Sequence, residues 1–154
     1  MSEELIRARG EKAKQYFLEG YNCTQAVVLA FADRCDIDRD TLLKLASSFG
    51  GGMGRLREVC GTVSGMFIIL GLISGYATPE KGAKKAAHYA DVQELARRFE
   101  AENGSIVCRE LLGLSVKRQD PTPDPRTPQY YQKRPCPDLV AQAAEILEAF
   151  LAEQ

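Results

Sequence analysis

Apolar residues recur at helical spacing along almost the whole chain, and no segment shows the alternation of apolar and polar positions that marks a half-buried strand. A first helix is predicted over residues 3–19, because Gly20 follows as a stop signal. The residues expected on its inward face are Leu5, Ile6, Ala13, Tyr16 and Phe17. The pattern predicts an all-α fold.

Three further helices are predicted around a cluster of glycines. The segment YNCTQAVVLAFADR forms the second helix, with Asn22 as its cap, because an asparagine side chain accepts a hydrogen bond from a free amide of the first turn. TLLKLASSF forms the third, capped by Asp40, and ends at the glycines of FGGGMG. The apolar run after them predicts a buried helix from Cys60 to Tyr76.

The C-terminal half begins with a long helix predicted from Pro79 to Asn103. Its expected inward residues are Ala83, Ala87, Ala90, Leu95 and Phe99. After a short helix around VCRELLG, all but one of the 7 prolines fall in LSVKRQDPTPDPRTPQYYQKRPCP. Proline disrupts both helices and central strands, so we expect an ordered Pro-rich loop here, anchored by Tyr130 and Tyr131. A final helix is predicted in PDLVAQAAEILEAFLAEQ.

These elements predict one compact domain over residues 1–154, a bundle of six or seven helices with a Gly-rich turn before Cys60 and a Pro-rich loop before the last helix. The charge is balanced, with a net charge of -1, so we expect no nucleic-acid partner. The apolar run from Val63 to Ala77 is shorter than the roughly 18 residues of a membrane helix, so we expect no membrane partner. The charged N-terminal segment predicts no secretory signal and a cytoplasmic location.

The 5 cysteines are the main candidates for chemistry, and four of them share one setting. Each of the four lies at or near the start of a predicted helix and on its apolar face: Cys23, Cys60, Cys108 and Cys136. A helix start carries a partial positive charge, which favours the thiolate, the form of sulfur that attacks disulfides and binds metals. Cys35 follows a helix among acidic residues and is left out of the predicted site.

The residue pattern leaves alternatives open. Buried cysteines often only fill space. There is no C-x-x-C pair and His88 is the only histidine, yet iron–sulfur clusters accept thiolates from separate segments. The glycine cluster lacks both the G-x-G-x-x-G fingerprint and the lysine of a P-loop, so it predicts close backbone approach rather than a nucleotide site. The residues expected to contact a substrate there are Gly51, Gly52, Gly54, Arg55 and Gly61.

The segments GYNCTQAVVLAF and GGGMGRLREVCGTVSG, with the later Cys108 and Cys136, resemble the redox-active proteins named for the pattern C…GCAxxG…C…C. The resemblance extends from about Gly20 to Leu147. It implies that the four cysteines at helix starts are the characteristic sulfurs of the family. Some relatives are selenoproteins, which implies redox chemistry at sulfur. Thr62 departs from the pattern, since the signature has alanine there.

The leading hypothesis is therefore a thiol-based redox protein, a thiol–disulfide oxidoreductase or electron-transfer protein that requires no cofactor. Its partner would be a redox protein or a small thiol or disulfide. Cys60 is the expected nucleophile and Cys23 the resolving cysteine, while Cys108 and Cys136 form a second pair. The alternatives are an iron–sulfur cluster or other metal bound by the same four cysteines, and a helical domain with inert thiols. A Gly-x-x-x-Gly face at Gly71 suggests a homodimer.

Overall fold

The computed structural model describes residues 2–79, 82–115 and 118–154, and this part of the chain folds into a compact all-α structure. The predicted fold class is confirmed. Apart from a short 3₁₀ turn at Ala32–Arg34, the helices are α1 (Glu3–Leu18), α2 (Cys23–Ala30), α3 (Arg39–Ser47), α4 (Gly61–Ser74), α5 (Ala83–Asn103), α6 (Cys108–Leu111), α7 (Pro128–Lys133) and α8 (Cys136–Ala152).

The caps of the second and third helices explain where those helices begin. Asn22 caps α2, because its Oδ1 accepts from the amide of Gln25 at 2.8 Å while the Gln25 side chain accepts from the amide of Asn22 at 3.2 Å. The prediction for Asn22 is confirmed. The prediction for Asp40 was wrong, since the carboxylate of Asp38 accepts from the amide of Thr41 at 3.1 Å and Asp40 lies inside the first turn.

Helix α2 is the centre of the molecule. It packs against α1, α3, α4 and α8, and its residues from Ala26 to Ala30 are all buried. A helix that is apolar on every side belongs in the interior, which explains why this short segment needs no polar face. Helix α1 lies along α8, and Phe17 and Leu147 are buried in that part of the core. The first residue of the central helix α2, Cys23, is partly buried.

Two predicted inward faces were partly wrong. Leu5 of α1 is 58% exposed, because the core begins one turn later, with Gly10 and Ala13 against α8. On α5, only Leu95 and Phe99 are buried, whereas Ala83, Ala87 and Ala90 face solvent because the first half of the helix extends beyond the core. This helix begins at Ala83 after Gly82, not at Pro79, and residues 80 and 81 of the predicted first turn lie outside the described residues.

The Pro-rich segment contains one more helix than the sequence predicted. Residues 118–127 form the expected irregular loop, and residues 116 and 117 lie outside the described residues. Pro128 then begins α7, because its missing amide is not needed in a first turn and Thr127 accepts from the amide of Tyr130 at 3.2 Å. The prediction that no helix forms here was wrong. Tyr130 and Tyr131 anchor the segment as predicted, with the Tyr131 ring edge-on to Phe17.

Within the described residues, no helix combines the length and the apolar character that crossing a bilayer demands. The longest apolar helix, α4, has 14 residues and is buried against α2, α5 and α8. Its burial fits the prediction of a core helix rather than a membrane span.

Replacing either of two glycines of α4 by alanine is expected to change the stability of the protein, in opposite directions at the two positions. A Cβ at Gly65 would lie 2.9 Å from Cβ of Val27, so Gly65→Ala should destabilise the protein by about 1–3 kcal/mol through overpacking. Gly71 has no atom within 4 Å of an added Cβ, so Gly71→Ala should stabilise it by about 0.5–1 kcal/mol through helix propensity. Denaturant unfolding measures both, and equal effects would contradict the packing of α2 on α4.

Candidate functional site

A cavity of about 410 Å³ lies where helices α2, α4, α6 and α8 begin. Four cysteines line it, one from each helix start: Cys23, Cys60, Cys108 and Cys136. Three of them are the first residue of their helix, and Cys60 is the N-cap of α4, so their predicted placement is confirmed. Cys35 does not line this cavity. All 5 cysteines are free thiols in the structure.

A single antiparallel bridge places two of the cysteines side by side. Val59 pairs with Val107, the amide of Cys60 donates to the carbonyl of Ile106 at 2.7 Å, and the amide of Cys108 donates to the carbonyl of Glu58 at 2.6 Å. The helices α4 and α6 therefore start from the same short ladder. Sequence reasoning missed this bridge because one residue pair leaves no alternating pattern, and the repeated Val-Cys dipeptide was its only signal.

The glycine cluster forms a left-handed turn next to this bridge. The φ angles of Gly51 to Arg55 are all positive, from 60° to 72°, and Arg57 follows with a φ of 58°. Met53, Arg55 and Arg57 are not glycines, so each left-handed position costs roughly 1–3 kcal/mol. The turn is closed by hydrogen bonds from the amide of Gly54 to the carbonyl of Gly50 and from Glu58 to Gly52, both 2.9 Å long. The strain is therefore concentrated beside the cavity.

Two glycines, Gly52 in this turn and Gly61 at the start of α4, leave space for the cysteines because they have no side chain. A Cβ at Gly52 would lie 2.6 Å from Cβ of Cys108, and a Cβ at Gly61 would collide with Sγ of Cys23. Of the residues expected to contact a substrate, Gly51, Gly54, Arg55 and Gly61 line the cavity, and Gly52 is buried behind Cys108. Their contact with a substrate stays a prediction.

Three of the sulfurs have a polar neighbour. Nη1 of Arg57 donates to Sγ of Cys108 at 3.5 Å, and Nε of Arg57 donates to Oε1 of Gln119 at 2.8 Å. Oγ1 of Thr62 lies 3.2 Å from Sγ of Cys60, so the departure from the signature alanine adds a hydrogen bond to that cysteine. The backbone of Gly51 lowers the pKa of Cys23, against the effect of burial.

Burial outweighs the helix starts at three of the cysteines. It raises the pKa of Cys60 to about 12 and the pKa of Cys136 to about 12, and it also raises the pKa of Cys23. The expectation that a helix start favours the thiolate was therefore wrong for these three. Negative charge on Cys23 or on Cys108 raises the pKa of both Cys60 and Cys136.

The charged residues that line the cavity are mostly arginines. Four arginines and one aspartate contribute to its wall: Arg55, Arg57, Arg126, Arg134 and Asp124. Oδ2 of Asp124 contacts Nη1 of Arg55 at 3.4 Å and Nη2 of Arg134 at 2.8 Å. Sequence reasoning missed Arg126, which reaches the wall from the Pro-rich loop and stacks on Phe17. No local pattern around Arg126 marked it as a site residue.

Metal ligands do not cluster in the described part of the chain. No three or more His, Cys, Asp or Glu side chains form a group close enough to hold one ion there. His88 lies outside the cavity wall, beside the ring of Tyr76.

The alkylation rate of Cys60 is expected to keep increasing at pH values where the rate of an ordinary cysteine no longer changes. With its pKa raised to about 12, the thiolate fraction of Cys60 should increase roughly tenfold per pH unit between about pH 7 and 10.5. Iodoacetamide labelling followed by mass spectrometry measures this profile, and a plateau near about pH 9 would contradict it.

Thr62→Ala should slow the labelling of Cys60 further at each pH, because the hydroxyl of Thr62 lowers the pKa of Cys60. Thr41→Ala, on the exposed side of α3, is the matched control and should leave the profile unchanged.

The comparison with known proteins agrees with this arrangement of cysteines. The family model described as "Putative redox-active protein (C_GCAxxG_C_C)" matches residues 21–150, a range that contains all four cavity cysteines. No significant similarity was found to a curated protein or to a solved structure. The match covers most of the chain, and the chain therefore belongs to the C_GCAxxG_C_C family.

Proposed function

We propose that the protein is a thiol–disulfide oxidoreductase whose cavity cysteines exchange electron pairs with a disulfide substrate. The observation that carries this proposal is the convergence of four sulfurs from four separate helix starts on one cavity, from which the fifth cysteine is excluded. Cysteines that only fill space in a core do not need to share a cavity wall. The family membership supports redox chemistry in general and leaves the reaction type to this proposal.

Cys108 is the proposed attacking sulfur. The guanidinium of Arg57 donates to Sγ of Cys108 at 3.5 Å, so this sulfur contacts a cation of the cavity wall. Cys60, the nucleophile expected from the sequence, has its pKa raised to about 12 by burial, which leaves little thiolate at neutral pH. Cys23 keeps its expected role as the resolving cysteine, because it lines the same cavity as Cys108 and interacts electrostatically with it.

The reaction takes two exchange steps. The thiolate of Cys108 attacks one sulfur of the substrate disulfide, a bond forms between these two sulfurs, and the other half of the substrate leaves as a thiolate that takes up a proton. The thiolate of Cys23 then attacks Sγ of Cys108, and the second half of the substrate leaves in the same way. Two electrons and the two thiol protons pass to the substrate. A second dithiol, protein or small molecule, restores both cysteines by the reverse steps.

Cys60 and Cys136 are assigned a slower part in this scheme. Both interact electrostatically with Cys23 and Cys108, so they are placed to exchange with a disulfide formed there. Burial raises the pKa of each to about 12, which keeps them as thiols. Burial raises the pKa of Cys23 as well, so thiolate availability does not separate Cys23 from Cys60 and Cys136. We expect the disulfide between Cys23 and Cys108 to form first because these two cysteines share the cavity wall and interact electrostatically with each other.

Single serine variants test these roles. The reduced protein is mixed with bis(2-hydroxyethyl) disulfide, and adducts are followed by mass spectrometry. Cys108→Ser should lower the rate by at least about 100-fold, because the serine hydroxyl is not a nucleophile at neutral pH. Cys23→Ser should let the adduct on Cys108 accumulate, since only the slower Cys60 and Cys136 remain to resolve it. Cys35→Ser is the matched control and should react like the unaltered protein.

Other results would replace the proposal in defined ways. If Cys60→Ser alone abolishes the reaction, Cys60 is the nucleophile, as its glycine-rich surroundings predicted. If all thiols react only after unfolding, the cysteines are structural. If anaerobic purification yields stoichiometric iron or zinc that is lost in the serine variants, the four cysteines form a metal centre.

A further inference from the structure

The wall of the cavity carries an excess of positive charge. It contains four arginines and a single aspartate, although the chain as a whole has a net charge of -1. The charge of this surface is therefore opposite in sign to that of the whole protein. Concave surfaces lined by one sign of charge concentrate ions of the opposite sign.

Arg57 is the central cation of this wall. It is only 4% exposed, and its contacts are the neutral amide of Gln119 and the sulfur of Cys108. Among the residues that the structure describes, no carboxylate lies within ion-pair distance of its guanidinium. A buried charge without a counter-charge is unfavourable, so an anion in the cavity would be bound favourably beside Arg57.

Arg126 is a second cation without an acidic partner in the described part of the chain. Its Nη1 donates to the carbonyl of Phe17 at 2.8 Å, and its Nη2 donates to the carbonyl of Tyr21 at 3.0 Å. These contacts fix its guanidinium at the wall without neutralising it. The cavity therefore offers positive charge on two sides, from Arg57 and from Arg126.

Asp124 shows which kind of anion fits this wall. One oxygen of its carboxylate contacts both Arg55 and Arg134, at 3.4 Å and 2.8 Å. The protein thus neutralises one pair of cavity arginines with a carboxylate of its own and leaves the other pair without one. Arginine binds carboxylates in a fixed planar geometry, which favours this group over a diffuse anion.

We propose that the cavity binds a small carboxylate-bearing ligand, and that the disulfide substrate carries its carboxylate close to the sulfur. This proposal rests on the redox function proposed above. Because Arg57 contacts both the cavity and Sγ of Cys108, a carboxylate bound at Arg57 brings a sulfur joined to it by a short carbon chain to the attacking cysteine. The wall selects the substrate by charge, and the cysteines supply the reaction.

Three disulfides with similar carbon chains and different charges test the selection. They are 3,3′-dithiodipropionate, which is anionic, bis(2-hydroxyethyl) disulfide, which is neutral, and cystamine, which is cationic. Each rate with the reduced protein is divided by the rate of the same disulfide with 2-mercaptoethanol. The anionic disulfide should then exceed the neutral one by at least about tenfold, and added salt should reduce this ratio.

Substitutions in the cavity wall test which residues cause the preference for the anionic disulfide. Arg57→Gln should lower the ratio of the anionic to the neutral rate by about tenfold, and this ratio cancels any general change in the reactivity of Cys108. Asp124→Asn should raise the ratio, because it removes the acid that competes with the ligand. Arg97→Gln is the matched control, since its side chain is 67% exposed on α5, and it should change nothing.

A ligand without a disulfide separates this proposal from the redox function. Suberate matches the length of 3,3′-dithiodipropionate, and its binding to the Cys108→Ser protein is measured by calorimetry. If suberate binds, and Arg57→Gln removes the binding, the carboxylate site stands even if no disulfide reacts. If neutral disulfides react at Cys108 while the anionic disulfide has no advantage and suberate does not bind, the carboxylate site is refuted and the redox function stands.

Discussion

The contact between the left-handed glycine turn and the cysteine side chains is the constraint on which the site depends. Gly52 lies so close to Cys108 that no side chain fits between them, and Gly61 has the same relation to Cys23. Gly52 therefore sets how near the turn comes to the start of α6, and Gly61, the first residue of α4, sets how near α4 comes to the start of α2. Arg57 at the end of the turn then contacts Cys108, so one segment controls both the spacing of the sulfurs and their charge environment.

Much of the fold could be predicted from the sequence because its signals are local. Helix periodicity, the cap at Asn22 and the stop after Asn103 each depend on a few neighbouring residues. The predicted inward face of α5 was wrong before Leu95, because small alanines fit a helix surface as well as a core, and only the position of the other helices decides between them. Thr127 and Pro128 started α7 where the density of prolines had predicted a loop.

The cysteines of the candidate site could be predicted from the sequence, but the electrostatics of the site could not. Four similar helix starts marked the sulfurs, since that setting is readable from sequence. The degree of burial is a property of the whole fold, and it raises the pKa of Cys60 and of Cys136 against the effect of the helix starts. Arg126 joins the wall from more than a hundred residues after Phe17, the residue it stacks on, and no local pattern carries such a relation.

The bridge between Val59 and Val107 joins two segments that are far apart along the chain. Contacts between distant segments close large loops and form late in folding. Before the bridge forms, the cysteines are thiols of an unfolded chain. They can then form disulfides that the folded cavity would not allow. Reducing conditions during folding therefore protect the assembly of the site from disulfides that the folded cavity would not form.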